Sequence, residues 1–327
     1  MECYISGLGI ISTLGKGIDN NISALLGPQP VLKKLKFINN DFYEVNAFTV
    51  DDNILKESLL LKKVRRADRF TKIAILSVNE ALADYKTRSR SEIEASKTTA
   101  ILSSSFGPHA TTFKFLDGLL EFGEIGVSPT DFSHSVHNAA LSYIVQLLNL
   151  KCRTLSVSNF LFPFHNSLLT AFSILCKTDV EQVILCFCDE ITCILGAIFK
   201  NGFYRDNAAE MPILGEGGVT LILSKKRHEN SYCSISIENE MPANLVGSSL
   251  FYDSGGVNFL EKNTCKDCKE YVDYSHYFGD MNILSVFHCV LGAYSLKNKL
   301  FSNKFENGGG EKAYIIAEAC KTIVKLS

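Results

Sequence analysis

The chain has 327 residues, of which 46% are hydrophobic and 21% charged, a composition typical of a folded globular protein rather than a disordered one. Its formal net charge of −2 provides no overall positive field, which argues against a partner made of nucleic acid or anionic membrane. The basic run Lys62-Lys63-Val64-Arg65-Arg66 is local, and we interpret it as a solvated or partner-facing edge.

Strand and helix patterns alternate along the first 200 residues. Residues 3–10 are typical of a buried strand that ends in glycines, and residues 71–85 have helical spacing. The same reasoning predicts strands at 98–105, 154–158 and 182–188, and helices at 111–122, 138–150 and 166–177. Alternation of this kind predicts a layered α/β fold.

The pattern changes after residue 200. Residues 240–275 are irregular and polar, whereas the flanking segments predict strands at 215–225 and 232–238, a helix at 283–296 and a last strand within 307–319. A glycine turn with its strand opens the chain and a comparable unit closes it, which indicates an internal duplication. We expect one domain over 1–327, with its two halves meeting near residue 200.

Targeting signals are not predicted. The N-terminus lacks the basic and long apolar regions of a signal peptide, and no apolar segment reaches the roughly 18 residues of a membrane span. We therefore expect a cytoplasmic protein.

The eleven cysteines include several within apolar runs, such as Cys186 and Cys188, which favours buried reduced thiols. Cys265 and Cys268 form a CxxC pair, and a zinc site would need completion by His276, His288 or Cys289. Because a single CxxC pair is weak evidence, we predict no metal and no cofactor.

The segment SVSNFLFPFHNS, residues 156–167, has the layout of a strand running into a helix. Many α/β enzymes place a nucleophile at such a corner. Here the corner holds apolar residues: Phe160, Leu161, Phe162, Pro163 and Phe164.

Six segments occur in a recognisable order: YISGLGIISTLGKGIDNNISALLGP (4–28), RRADRFTKIAILSVNEALADY (65–85), SPTDFSHSVHNAALSYIVQLLNLK (128–151), LGEGGVTLILSK (214–225), HYFGDMNILSVFHCVLGAY (276–294) and ENGGGEKAYIIAE (306–318). Their order and spacing resemble the β-ketoacyl synthases of the thiolase superfamily along the whole chain. The resemblance implies a thiolase-like, five-layer α-β-α-β-α fold built from two duplicated halves. The loops are trimmed, chiefly in residues 238–275 and in the final third.

The catalytic residues that the resemblance implies are missing. A ketosynthase needs a cysteine at the corner, where the helix N-terminus lowers the thiol pKa, but the aligned position here is Leu161 or Phe162. The first of two histidines that stabilise an enolate would lie in residues 251–258, which contain none. The second falls at Asp280, and the lysine of the same motif aligns with Ser275 or His276.

Other titratable residues near the corner have plainer interpretations. His165, four residues after Leu161, is interpreted as a structural or tunnel-lining residue rather than a recruited base. Asp189 and Glu190 follow a strand and are expected to cap or hydrogen-bond the loop that follows them.

The resemblance then implies a chain-length factor. These ketosynthase-like subunits lack the nucleophile, form a heterodimer with an active ketosynthase, and shape the acyl tunnel; an acyl carrier protein serves the complex. Short factors of this kind resemble those of systems that make highly reduced or polyene chains, including aryl polyenes. The corner residues Phe160, Leu161, Phe162 and Phe164 would fill the old pocket. Residues aligned with the tunnel are Thr112, Phe113, Leu116 and Phe132.

Alternatives remain open at this stage. Ordinary core packing is an equal alternative for Phe160 and the favoured one for Leu116. The chain is also compatible with an enzyme of different thioester chemistry, hydrolysis or decarboxylation, that recruits His165 or Cys152. A third possibility is a scaffold that binds carrier protein and builds no tunnel.

Overall fold

The computed structural model describes residues 2–38, 42–202, 211–238, 248–252, 274–298, 312–317 and 322–327. The strands of this part of the chain are β1 (Glu2–Ser12), β2 (Gly15–Lys16), β3 (Lys33–Ile38), β4 (Phe42–Phe48), β5 (Thr98–Ser104), β6 (Arg153–Ser158), β7 (Gln182–Asp189), β8 (Leu214–Gly215), β9 (Gly217–Ser224), β10 (Cys233–Glu238), β11 (Ser248–Tyr252), β12 (Lys312–Ala317) and β13 (Thr322–Leu326).

The α-helices are α1 (Ile18–Leu25), α2 (Asp52–Glu57), α3 (Arg69–Ser89), α4 (His109–Gly126), α5 (Pro129–His134), α6 (Ala139–Leu147), α7 (Pro163–Lys177), α8 (Cys193–Gly202), α9 (Ser275–Phe278) and α10 (Leu284–Asn298). Short 3-10 helices lie at Leu61–Val64 and Ala95–Lys97. Helix α4 is interrupted at Gly123, whose φ of 66° is outside the helical range.

The two halves share one strand topology. The N-terminal half has the strand order β6-β5-β7-β9-β1, with β9 antiparallel to its neighbours. Because β9 spans Gly217–Ser224, this half extends beyond the boundary expected near residue 200. The C-terminal half has the order β11-β12-β13-β10, with β13 antiparallel to its neighbours. In each half the first strand therefore borders the single reversed strand, so β1 corresponds to β10 and not to the strand of the closing glycine turn.

The first strands of the two halves join the sheets. Strand β1 pairs antiparallel with β10, from Glu2 opposite Ser236 to Ile5 opposite Cys233. On one face of the N-terminal sheet lie α3 and α6, and on the other lies α7. Helix α10 contacts strands of both halves. The described residues thus supply an outer helix layer, a sheet, a middle helix layer and a second sheet, in agreement with the predicted α/β layers.

Buried apolar runs explain the central elements. Every residue of β5 and β9 is buried, and β7 is buried apart from Gln182, because helices cover both faces of this sheet. Helix α3 begins after Asp68, whose carboxylate accepts a hydrogen bond from Thr71 N at 2.7 Å. It ends at Arg90, which adopts a left-handed conformation.

The sequence patterns missed several elements. A small sheet of order β3-β4-β8 packs near α8, and β13 follows the strand that was expected to be the last. Helix α7 begins at Pro163 rather than at residue 166, since proline is favoured in the first helical turn. Among the described residues, no helix is long and apolar enough to cross a membrane.

Candidate functional site

A side chain within the turn between β6 and α7 closes this corner by hydrogen bonds. The Asn159 Oδ1 atom accepts hydrogen bonds from Leu161 N at 3.2 Å and from Phe162 N at 2.9 Å. Such a turn satisfies backbone amides that otherwise point free at a helix N-terminus. These two amides are therefore already engaged within the turn.

The corner residues face in two directions. Phe160 and Leu161 are 43% and 38% exposed, whereas Phe164 and His165 are almost completely buried. The Phe164 ring packs edge-on against Phe187 at a centroid distance of 5.6 Å. Burial lowers the pKa of His165 to about 4, so its imidazole is neutral at pH 7.

Aromatic rings connect the corner to the interior. The Phe160 ring contacts Phe106 edge-to-face with centroids 5.4 Å apart, and Phe106 contacts Phe199 in the same manner at 6.0 Å. Phe199, on α8, is buried. Neither Phe106 nor Phe199 was singled out from the sequence, although Phe106 directly follows a predicted strand that is parallel to β6.

The segment of Asp280 lies beside the same corner. Asn282 is buried, and its side-chain amide donates a hydrogen bond to the Phe160 carbonyl oxygen. Asp280 N donates to Ile213 O at 2.7 Å, which joins this segment to β8. The close approach needs glycine, because a side chain on Gly215 would overlap the backbone before Gly279. The position predicted for the second histidine is therefore brought to the corner.

A narrow cleft with a cavity volume of about 20 Å³ lies between these elements. Its walls are largely apolar and include Phe106, Ile191, Leu195, Phe199 and Met281. Asp189, Glu190 and Asp280 also line it.

Asp189 holds the loop that carries Phe106. Its carboxylate accepts hydrogen bonds from Ser104 Oγ at 2.6 Å, Ser105 N at 3.0 Å and Phe106 N at 3.2 Å. Burial raises the pKa of Asp189 to about 6. The bonded loop follows β5 and is not the loop after Glu190, so the predicted partner of this carboxylate was wrong.

Glu190 caps a helix rather than the loop after it. Its Oε1 accepts a hydrogen bond from Ala110 N at 3.0 Å, in the first turn of α4. Burial, together with the nearby charge of Asp68, raises the pKa of Glu190 to about 8. The carboxyl is therefore largely protonated at pH 7. The His109 Nδ1 atom lies 3.9 Å from the Glu190 Oε1 atom. Burial lowers the pKa of His109 to about 4.

An ion pair joins two of the six segments that carry the family resemblance. Arg69, from residues 65–85, donates through Nε to Glu216 Oε1 at 3.0 Å, and Glu216 lies in residues 214–225. Glu216 is fully buried and also accepts from Val50 N at 2.8 Å and Ile191 N at 3.2 Å. This network joins four parts of the chain, and we assign it a structural role.

The residues predicted to line a tunnel lie on α4 and α5, apart from the corner cleft. Thr112 donates to Pro108 O at 3.1 Å and Ser135 O at 3.2 Å, which ties the start of α4 to the end of α5. Phe113 is half-buried, whereas Leu116 and Phe132 are exposed. Because they are exposed, ordinary core packing does not explain Leu116 and Phe132. Phe132 contacts Phe115 at 5.4 Å.

Strand β6 forms an edge of the large sheet. Among the described strands it has one neighbour, β5, and its first three residues, Arg153, Thr154 and Leu155, are exposed. A row of backbone groups on such an edge is a template for another strand. Leu161 and Leu169 are further exposed apolar residues in the adjoining corner and α7.

Metal ligands are not assembled in this part of the chain. The described residues contain no group of three or more His, Cys, Asp or Glu side chains placed to hold a metal ion. Cys265 and Cys268 lie outside the described residues. Burial raises the pKa of Cys186 to about 11, in keeping with a buried thiol.

Comparison with known proteins identifies the architecture. Residues 63–211 match the family model described as "Beta-ketoacyl synthase, N-terminal domain". A solved structure described as "The ishigamide ketosynthase/chain length factor" is similar over 100% of this chain and 98% of that chain, with a TM-score of 0.72 and 14% identity. The chain has the ketosynthase fold.

Two further solved ketosynthases support this assignment. A type II PKS acyl-carrier protein in complex with its ketosynthase, AntDE:AntF, gives a TM-score of 0.74 at 13% identity, covering 100% of this chain and 99% of that one. A β-ketoacyl synthase from Burkholderia phymatum STM815 gives 0.70 at 12% identity, with coverages of 99% and 98%. No curated protein matches the sequence. At such low identities the ketosynthase fold is shared, and function needs its own argument.

Proposed function

We propose that the chain is a non-catalytic chain-length factor, which pairs with an active β-ketoacyl-ACP synthase and shapes the tunnel for the growing acyl chain. The observation that carries the proposal is the corner. A ketosynthase uses a cysteine thiolate there, whereas this chain has Leu161 and Phe162, with no cysteine or serine between Asn159 and Asn166. Asn159 also accepts hydrogen bonds from the two backbone amides just before the helix.

The second motif supports the same proposal. Asp280 stands where a histidine would donate a hydrogen bond to a developing enolate. Its segment contacts the corner through Asn282. An ionised carboxylate would repel an enolate. Residues 251–258, where the first histidine would lie, contain none, and 253–258 lie outside the described residues.

The alternative, an enzyme that recruits other residues for a different thioester chemistry, has little support. His165 is buried and its low pKa makes it a weak base at pH 7. Cys152 is half-buried, and burial raises its pKa, which reduces the thiolate fraction.

The partner surface is proposed along β6 and the adjoining corner. The exposed edge of β6, together with Leu155, Phe160 and Leu161, presents backbone groups and apolar area on one side of the sheet. A ketosynthase partner would cover both, as the similarity to a ketosynthase/chain length factor structure suggests. Carrier protein would then reach the complex through the ketosynthase.

The residues proposed to contact the tunnel are Thr112, Phe113, Leu116 and Phe132. A polyene product, possible for short factors of this type, rests on the family resemblance.

Co-expression with candidate ketosynthases tests the proposal. We expect a stable complex that elongates a carrier-bound acyl chain, while this chain alone shows no turnover of acyl or malonyl carrier protein. Replacing Leu155 with Lys at the edge should weaken the complex at least tenfold, because a lysine there opposes strand pairing. Val31→Lys, which changes an exposed apolar residue outside this edge, serves as the matched control. A stable monomer that binds no ketosynthase contradicts the proposal.

A further inference from the structure

Three phenylalanine rings form a column that leads inward from the corner. Phe160 lies at the surface, Phe106 is half-buried and Phe199 is buried. Successive rings meet edge-to-face, with interplanar angles of 86° and 77°. This arrangement is favourable for aromatic pairs. We call these three residues the aromatic column.

Each ring is carried by a backbone that is fixed from outside the column. The Phe160 carbonyl accepts a hydrogen bond from buried Asn282, and the Phe106 amide donates to buried Asp189 at 3.2 Å. Phe199 is on α8, where Gly196 lies so close to Val45 that an added Cβ would meet its side chain. The rings therefore come from three separate segments that are each independently anchored.

The column borders the cleft described above, whose apolar walls include Ile191, Leu195 and Met281. Removing a phenyl ring next to an apolar cleft creates space that surrounding side chains refill only in part. Apolar cavities of this kind stay dry and take up apolar ligands. The column thus lies between the solvent-exposed corner and this small cleft, whose lining combines apolar residues with Asp189, Glu190 and Asp280.

We propose that the aromatic column is the device that closes this chain's own acyl pocket, with Phe106 and Phe199 as the residues that decide whether an alkyl chain enters. The inference rests on the proposed function, since a subunit without a nucleophile has no use for a second bound acyl chain. The residues that close the pocket then lie deeper than the corner itself. Phe164, which was expected to help fill the pocket, packs in the core against Phe187 and lies outside the column. Opening the column converts the corner into an entrance for one linear alkyl chain.

Binding of 1-octanol tests the column. The variants are Phe106→Ala and the double variant Phe106→Ala/Phe199→Ala, and Phe172→Ala serves as the matched control, because Phe172 is a buried core phenylalanine on α7 that is not in the column. Calorimetric titration counts octanol molecules per chain, on the chain alone or, if it aggregates, on its complex with a ketosynthase. We expect one additional saturable equivalent in the double variant, bound at least tenfold more tightly than by the wild type or by Phe172→Ala.

Equal binding by the double variant and Phe172→Ala, or a wild-type chain that already takes up the additional octanol, overturns the inference. Phe106→Ala keeps the test decisive if the double variant does not fold, because Phe106 is only half-buried. Association with a ketosynthase is a separate measurement. If the chain does not associate with any ketosynthase, the proposed function is wrong but the octanol result still stands. If a column variant associates normally but gains no octanol site, only the proposal about the column is wrong.

Discussion

The inner and outer sides of the corner are built from the same residue type but serve different purposes. On the inner side, Phe164 packs against Phe187 and His165 is buried beside it. On the outer side, Phe160 and Leu161 leave about two fifths of their surface exposed. The inner side contributes to folding stability through burial. The outer side gains little from folding, so its apolar surface is better explained by what it contacts in an assembly.

The largest expected effect is on the inner side. Phe164→Ala removes a fully buried ring, and we expect the free energy of unfolding to fall by about 3–5 kcal/mol. Phe160→Ala, the outer counterpart, should cost roughly 1 kcal/mol or less, because only its partial burial and its contact with Phe106 are lost. Urea denaturation of both variants measures the difference. Similar losses would show that the two sides are not distinct.

A smaller effect concerns pH and the inner carboxyl at Glu190. Its folded pKa of about 8 lies above the ordinary value of 4.5, so the folded state retains a proton that the unfolded state releases. Stability should therefore fall as the pH rises from about 4.5 through 8. The clearest window is pH 7.5 to 8: there His109 and His165, whose pKa is near 4 in the folded state and 6.5 in the unfolded state, are largely neutral in both states.

Glu190→Gln keeps an acceptor for Ala110 N and removes the ionisation, so it should flatten this slope. Glu181→Gln, at an exposed strand-end carboxylate paired with Lys97, is the matched control and should leave it unchanged. Melting temperatures measured at half-unit pH intervals provide the comparison. A slope that survives in Glu190→Gln assigns the pH dependence to another group.

The smallest expected effect is on the outer side. Leu161→Cys restores a thiol at the corner, but we expect no measurable acylation by an acyl carrier protein, because the Leu161 and Phe162 amides already bond to Asn159. Mass spectrometry of the intact variant reads out acylation, with Leu161→Ser as a control for background. Rapid stoichiometric acylation of the cysteine would show that the corner still activates a nucleophile.

Sequence patterns predicted the elements that are long and uniformly buried. Strand β7 and helix α3 were found within a few residues of their bounds, because apolar runs and helical spacing are properties of the local sequence. Strand β13 and the small sheet of β3, β4 and β8 were missed, since their pairing depends on partners far along the chain. The duplication, only indicated by glycine turns, became visible as a shared strand order.

The corner could be located from the sequence, but its contacts could not. The apolar residues at 160–164 were evident in the string itself, and the resemblance gave them meaning. Phe106 and Asn282 reach the corner from two other segments, and Phe199 packs behind Phe106 from a third. No local pattern signals such convergence. One signal was available: parallel strands bring the loops at their carboxyl ends together, which links the loop after β5 with the corner after β6.

Strand β1 occupies a place in the sheet that affects how the chain is made. It lies between β9 and β10, and Tyr4 is opposite both Ser224 and Ser234. During synthesis β1 therefore lacks both neighbours until more than 200 further residues have been added, on the order of ten seconds or more at ordinary translation rates. Throughout that interval the apolar residues of β1 have no sheet to join, and pairings this distant in sequence form slowly. Nascent chains of this protein should accordingly depend on chaperones until β10 emerges.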